Sequence, residues 1–236
     1  DIQSFIPQEY WTIESELQKA SKEKFKARLI NWKGDKLEKL SLKNKQSAKE
    51  AIKSIENSDL EVVKNEEKKE FRNPRAPFTT STLQQEASRK LSFSASRTMR
   101  AAQKLYEGLN IGSEVTGLIT YMRTDSVQLS KESITNLRKM ITNKYGDIYC
   151  PKKLKIYKSK VANAQEAHEA IRPTDVKRMP KTVKAYLDDD CYKLYDLIWK
   201  RTVSSQMASA IINKTIIDVE SINKTDIQNF VTLRAN

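Results

Sequence analysis

Apolar and polar positions alternate along the first part of the chain. "YWTIESEL" (10 to 17) and "KFKARLINW" (24 to 32) carry the two-residue period of strands with one packed face, and Gly34-Asp35 supplies a turn after the second. Ala48, Ala51, Ile52 and Ile55 then fall on one helical face, and "SDLEVVKNEEKKEF" predicts a further strand leading into a charged connection. "RNPRAPF", residues 72 to 78, is punctuated by Pro74 and Pro77, which disfavour helix in the residues before them and mark a boundary. The period beyond it is helical. Thr80 or Ser81 is placed to cap a helix running to about Lys90, and Ser94 or Ser96 to cap a second with Met99, Ala102, Leu105 and Tyr106 at helical spacing, stopped by Gly108. "LSKESITNLRKMITNKYG" predicts a helix capped by Ser130 that buries Ile134, Leu137, Ile141 and Tyr145 and ends at Gly146. The acids 188 to 190 open another, with Leu194, Tyr195, Ile198, Trp199 and Val203 as its apolar side and negative charge at its positive end. "INKTIIDVESI" and "NFVTLRAN" restore the strand pattern, and the sheet is expected to continue past the last residue given.

Composition narrows the partners. Of 236 residues, 43 are Lys or Arg against 30 Asp or Glu, a net charge of +13 that favours a polyanionic partner, while 38% hydrophobic residues suffice for a folded interior. No stretch approaches the roughly 18 to 20 apolar residues of a membrane span, and "DIQSFIPQEYW" lacks the basic end and apolar middle of a signal peptide. Membrane partners are therefore not expected. Cys150 and Cys191 form no CxxC pattern and the chain has one histidine, so neither a disulfide framework nor a zinc site is indicated; a reducing cytosol fits.

Two stretches could do chemistry. In "LITYMRTDS", 118 to 126, an extended backbone points Tyr121 and Arg123 to the same side, a phenol beside a fork suited to phosphate oxygens. Tyrosine is weakly nucleophilic at its free pKa near 10 and needs such a charge as a bond to phosphorus forms. Residue chemistry leaves two readings open: a packed tyrosine near a solvated arginine, or a nucleophile beside its phosphate-holding cation. In "NAQEAHEAIRPTD", 163 to 175, a helical reading aligns Gln165, His168 and Arg172 on one face before Pro173 ends it. That stripe suits a phosphodiester, or else His168 bonds a carbonyl and Glu166 or Glu169 pairs with Arg172.

"GLITYMRTDS" and "EAHEAIRPTD" in this order, preceded by "APFTTSTLQQEASRKLSFSASRTMRAAQKLYE" (76 to 107), resemble the signature of type IA DNA topoisomerases, and within them the bacterial topoisomerase I group. The similarity covers about residues 72 to 208. It implies that Tyr121 attacks a single-stranded DNA phosphodiester and becomes joined to the 5′ phosphate, that Arg123 contacts the scissile phosphate, and that His168 belongs to the network around the cut strand. The stripe read above adds Gln165 and Arg172 as expected DNA contacts, and Asp125 and Arg172, which sit in the same motifs, take a secondary place in the chemistry. Energy held in the phosphotyrosyl ester makes a nucleotide source unnecessary, in keeping with the lack of a GxxxxGK[ST] pattern.

Pattern and resemblance together give an α+β protein. Residues 1–77 and 209–236 form a discontinuous, β-rich arch, the second part truncated. Residues 78–208 form an inserted, mostly helical gate containing a helix-turn-helix-like unit and the tyrosine. The family's magnesium-binding TOPRIM domain, which supplies metal ligands and a catalytic glutamate, and a further helical domain would lie outside this sequence; no DxDxE pattern occurs, so magnesium is assigned to the full-length enzyme and none to this part. The resemblance implies an ATP-independent bacterial isomerase, cytoplasmic and nucleoid-associated, that relaxes negatively supercoiled DNA, with this part inactive alone. The alternative is a regulator binding duplex DNA through the helix pair joined by "LSFSAS", with Arg97, Thr98 and Arg100 on phosphates.

Overall fold

The computed structural model describes residues 4–112, 114–158, 168–223 and 225–236. The chain divides into two compact units, one of Asp1–Phe71 with Ile211–Asn236, the other of Arg72–Ala210. In the first unit, β1 (Glu14–Gln18) pairs antiparallel with β2 (Lys24–Trp32), which also pairs with the short β3 (Asp35–Lys36). The alternation along β2 buries Ala27 and Leu29 while Lys26 and Arg28 face water. α1 (Lys45–Glu56) is capped by Asn44, whose side chain accepts from the Ser47 N–H at 2.9 Å. It buries Ala48 and Ala51, and Trp32 donates to the buried Ser54 hydroxyl at 3.0 Å. Ile52, expected on the packed face, is exposed.

β4 (Leu60–Arg72) runs straight through the charged stretch expected to be a connection. Successive even positions of a strand share a face, and there Glu66 lies between Lys64 and Lys68 at 2.9 and 2.8 Å, so unlike charges alternate rather than repel.

The second unit begins here. α2 (Thr80–Leu91) is capped by Thr79, not Thr80 or Ser81: Thr79 and Thr82 form a reciprocal capping box, while the Thr80 hydroxyl is engaged elsewhere, donating to the Met122 carbonyl at 2.7 Å. α3 (Ala95–Glu107), capped by Ser94, ends at Gly108 with φ 116°. β5 (Leu109–Asn110) and β6 (Val115–Thr116) make a small antiparallel ribbon. α4 (Lys131–Tyr145) starts from the Ser130 cap and buries Leu137 and Ile141, but Ile134 is only half-buried and Tyr145 is exposed, its ring packed against Tyr149 instead. After α5 (Pro180–Val183), α6 (Asp189–Ser205) is capped by Asp188, which accepts from the Cys191 N–H at 2.7 Å.

α6 brings Leu194, Tyr195, Ile198, Trp199 and Val203 onto the core formed with Phe78, Leu83, Leu105 and Leu118. Each such side chain contributes about 1.5–3 kcal/mol when fully buried. The polar ends of the two large aromatics are satisfied, Tyr195 Oη donating to the Arg178 carbonyl at 2.6 Å and Trp199 Nε1 to that of Val176 at 2.9 Å.

The chain returns to the first unit through β7 (Ala210–Ser221) and β8 (Val231–Ala235). The sheet order is β1-β2-β8-β7-β4, so the last strand occupies the centre. Val231 and Leu233 of β8 accordingly join Leu29, Leu42, Ala51 and Val219 in the core, and Arg234 pairs bidentately with the buried Asp218 at 2.6 and 2.8 Å. The fold is α+β as expected.

Candidate active site

The tyrosine segment starts from a close backbone approach. A Cβ on Gly117 would sit 2.5 Å from the Tyr106 carbonyl oxygen, so only glycine lets the chain pass the end of α3 here. The next residue seals the contact, Leu118 N–H donating to the Leu105 carbonyl at 2.7 Å. Residues 118 to 120 then lie antiparallel to 172 to 174: Thr120 N–H donates to the Arg172 carbonyl at 2.9 Å, and Thr174 N–H to that of Leu118 at 3.0 Å. The expected strand stops there, because Ile119 faces Pro173, which has no N–H with which to extend a ladder.

Beyond Thr120 the backbone takes a different partner. Thr80 N–H donates to the Thr124 carbonyl at 2.8 Å, and the Thr80 hydroxyl bonds both the Met122 carbonyl and the Thr124 N–H. Met122, Thr124 and Ser126 are buried, while Tyr121, Arg123 and Asp125 face out. The two-residue period thus survives without a sheet.

Tyr121 is 40% exposed. Its ring lies between two others: Tyr106, from the last turn of α3, meets it edge to face at 5.4 Å between centroids, and His168 lies tilted at 6.0 Å. Among the described residues neither the Tyr121 hydroxyl nor the Arg123 guanidinium has a hydrogen-bond partner, and Arg123 has no ion pair, which leaves both free for a ligand. Asp125 is likewise exposed and unpaired among the described residues. Tyr106 was legible in the sequence only as part of a helical face; fifteen residues separate it from Tyr121, and no local pattern announces the contact.

The expected helix around His168 is absent from the described residues 168 to 175. This stretch is extended because its backbone is used from both sides, Ile171 donating to the Phe78 carbonyl at 2.9 Å and Ala170 to that of Gln128 at 2.8 Å. His168 reaches the tyrosine; Arg172 does not share a helical face with it. The Arg172 guanidinium instead donates to Glu169 at 2.8 Å through Nε and to the Pro173 carbonyl at 2.9 Å through Nη1. Glu169 also accepts from Ser130 N–H, the cap of α4, at 2.6 Å. Burial pushes the Glu169 carboxyl up, but the Ser130 bond and the Arg172 charge outweigh it and hold the group below the usual carboxylate range. Gln165 lies outside the described residues.

Elsewhere on the unit, the helix pair is spent on structure. Arg97 forms a bidentate pair with Asp190 at 2.8 and 2.7 Å, Lys104 pairs with Asp188 at 3.0 Å, and Thr98 is buried against the Ser94 carbonyl. Of the three residues a duplex-binding regulator would use, only Arg100 is without such a partner among the described residues. Among the described residues no three acidic, histidine or cysteine side chains cluster as a metal site, and no helix is long and apolar enough to cross a membrane.

Comparison with known proteins places these features in context. A family model described as DNA topoisomerase matches residues 1–234. DNA topoisomerase 1 of Rickettsia felis is 50% identical over 224 residues, which cover 95% of this chain and 29% of that protein. The Zymomonas mobilis DNA topoisomerase 1 is 50% identical over 219 residues, 93% of this chain and 17% of the relative. The solved structure of full-length topoisomerase I from Thermotoga maritima superposes with a TM-score of 0.70 at 31% identity, covering 99% of this chain and 34% of that one. The chain spans less than a third of the length of these two relatives.

Proposed function

This chain belongs to the DNA topoisomerase family, among its bacterial type IA members, and from that premise we propose that Tyr121 is the nucleophile that cuts one DNA strand. Its phenol oxygen bonds to the scissile phosphorus as the bond from phosphorus to the 3′ oxygen breaks. The phenol proton is given up, the departing 3′ oxygen gains one, and the 5′ phosphate remains as a tyrosyl ester. Attack by the 3′ hydroxyl reverses each step without an outside energy source. Arg123 supplies the cation that offsets charge growing on the phosphate oxygens, and His168 contacts the strand beside the ring. Arg172 acts at one remove, holding Glu169 and the backbone that Thr120 pairs with; Asp125 is secondary. The observation that carries this reading is an exposed tyrosine and an exposed arginine on one side of a backbone held by residues 172 to 174 before the tyrosine and by Thr80 after it.

Magnesium would be held by segments the relatives possess beyond the matched region; within this chain the β-rich unit would serve as the arch and the helical unit as the gate, and strand passage would relax negative supercoils. The chain alone should not cleave.

The test places this chain in the Rickettsia felis DNA topoisomerase 1 in exchange for the 224 matched residues. The assembled protein, with magnesium and single-stranded DNA labelled at its 3′ end, is quenched with denaturant. Label should migrate with the protein and should be lost in Tyr121→Phe, which removes one hydroxyl and leaves the fold intact. An adduct that persists in Tyr121→Phe rules out this nucleophile, and a folded assembly that forms none overturns the activity.

A further inference from the structure

A second concave surface of the helical unit carries an excess of positive charge. It lies between α2 and α6, has a volume of about 730 Å³, and is lined by Arg75, Arg89, Lys90, Lys193, Lys200 and Arg201 against two acids, Glu86 and Asp196. Both acids are already occupied. Glu86 is buried beneath Lys90 at 2.7 Å, Arg201 at 3.1 Å and Arg75 at 3.7 Å, and Asp196 pairs with Lys200 at 2.6 Å. Arg89 has no hydrogen bond or ion pair to another described residue. Offset of a helix dipole accounts for Arg89 and Lys90 in the last turn of α2, and Lys193, in the second turn of α6, pairs with Asp189 at 2.6 Å, an acid outside the groove lining. The floor holds half-buried Leu91 and Leu197.

The groove does not end there. A smaller hollow of about 220 Å³ shares Arg75, Glu86, Arg89 and Arg201 with it and continues to Val127. Val127 follows Tyr121 by six residues, at most roughly 20 Å of extended chain. All of these residues belong to the unit that carries the tyrosine.

We propose that this groove holds the single strand on the 3′ side of the scissile phosphate, the piece left joined to Tyr121; the inference rests on Tyr121 being the nucleophile. Phosphates meet the cationic rim, and the apolar floor takes base faces that an unpaired strand can turn outward, whereas a duplex keeps them stacked inside. The cut piece is then gripped twice by one unit, covalently at its 5′ end and electrostatically along its length.

The test uses the assembled protein described above with Arg89→Ala, Lys193→Ala and Lys200→Ala combined. These three are exposed and none holds the buried Glu86, so a thermal melt should show the fold retained. Affinity is measured for two strands sharing the cleavage site, one ending just past the cut and one extending well beyond it on the 3′ side. The triple variant should weaken the long strand about tenfold at moderate salt and reduce the slope of its log affinity against log salt by about 2, the value for three lost contacts to a single strand. The loss should be confined to the long strand. Equal loss on both strands, which is what a general lowering of charge would do, overturns the groove, and so does no loss on either. Adduct formation by Tyr121→Phe is scored in parallel, so failure of the nucleophile assignment is seen separately from failure of the groove.

Discussion

Gly117 and Arg123 mark two kinds of constraint on the tyrosine. Gly117 is there for space: its backbone passes the Tyr106 carbonyl so closely that a methyl group would have to displace main chain, not a flexible side-chain end. Gly117→Ala should destabilise by roughly 1–3 kcal/mol, the range for forcing atoms into packed structure, and a thermal melt reads this directly. An unchanged melting temperature would mean that the approach of α3 to the tyrosine segment is not tight. Arg123 is the opposite case, exposed and without a partner among the described residues, so little stability depends on it. Arg123→Ala should leave the melt unchanged and slow single-turnover cleavage by the assembled protein on the order of 10²-fold, the effect of removing one group that stabilises developing charge. Parent-like cleavage would remove the arginine from the reaction. The sequence placed both residues near Tyr121 but offered no reason for the glycine, since close approach is a property of two distant segments brought together.

At the scale of elements, the alternating run over Lys24–Trp32, the cap at Ser130 and the acidic opening of α6 were legible because each is decided within a few residues, and the cap of α3 was narrowed to Ser94 or Ser96, of which Ser94 serves. Misreadings arose where a distant partner decides. The helical reading around His168 failed because Phe78 and Gln128 pair with that backbone, and the capping residue of α2 shifted to Thr79 because Thr80 is needed by residues 122 and 124. Glu169 is the joint of this assembly, linking the first turn of α4 to Arg172. Its carboxyl is held below the usual value of 4.5, so the stability it contributes is fully present above that pH and is lost as pH falls through the lower folded value. The difference in melting temperature between the parent and Glu169→Gln should therefore be largest near neutrality and shrink as pH drops from 4.5 downward. A difference independent of pH would show that the charge of Glu169 is not what joins these elements.

For the molecule as a whole, charge and topology set the behaviour. With a net charge of +13, affinity of the assembled protein for single-stranded DNA should fall linearly on a log–log plot against salt, by about 0.7 per phosphate contacted. Anisotropy titrations at several salt concentrations check this, and a flat plot would exclude phosphate contacts as the source of binding. The sheet explains how the unit bearing Tyr121 is carried at all. β4 and β7 are neighbours, and Ile222, just past β7, donates to the Asp59 carbonyl, just before β4, at 2.9 Å. From the sheet's side these strands are the two arms of a hairpin, and everything between them, tyrosine included, is its loop. Closing a loop becomes only slowly more expensive as it lengthens, about 0.6 kcal/mol for each doubling. A hairpin that has already accepted a loop this long should accept further insertions or deletions inside it at little expense to itself, so the part of the chain that bears Tyr121 is free to change length without unmaking the frame that carries it.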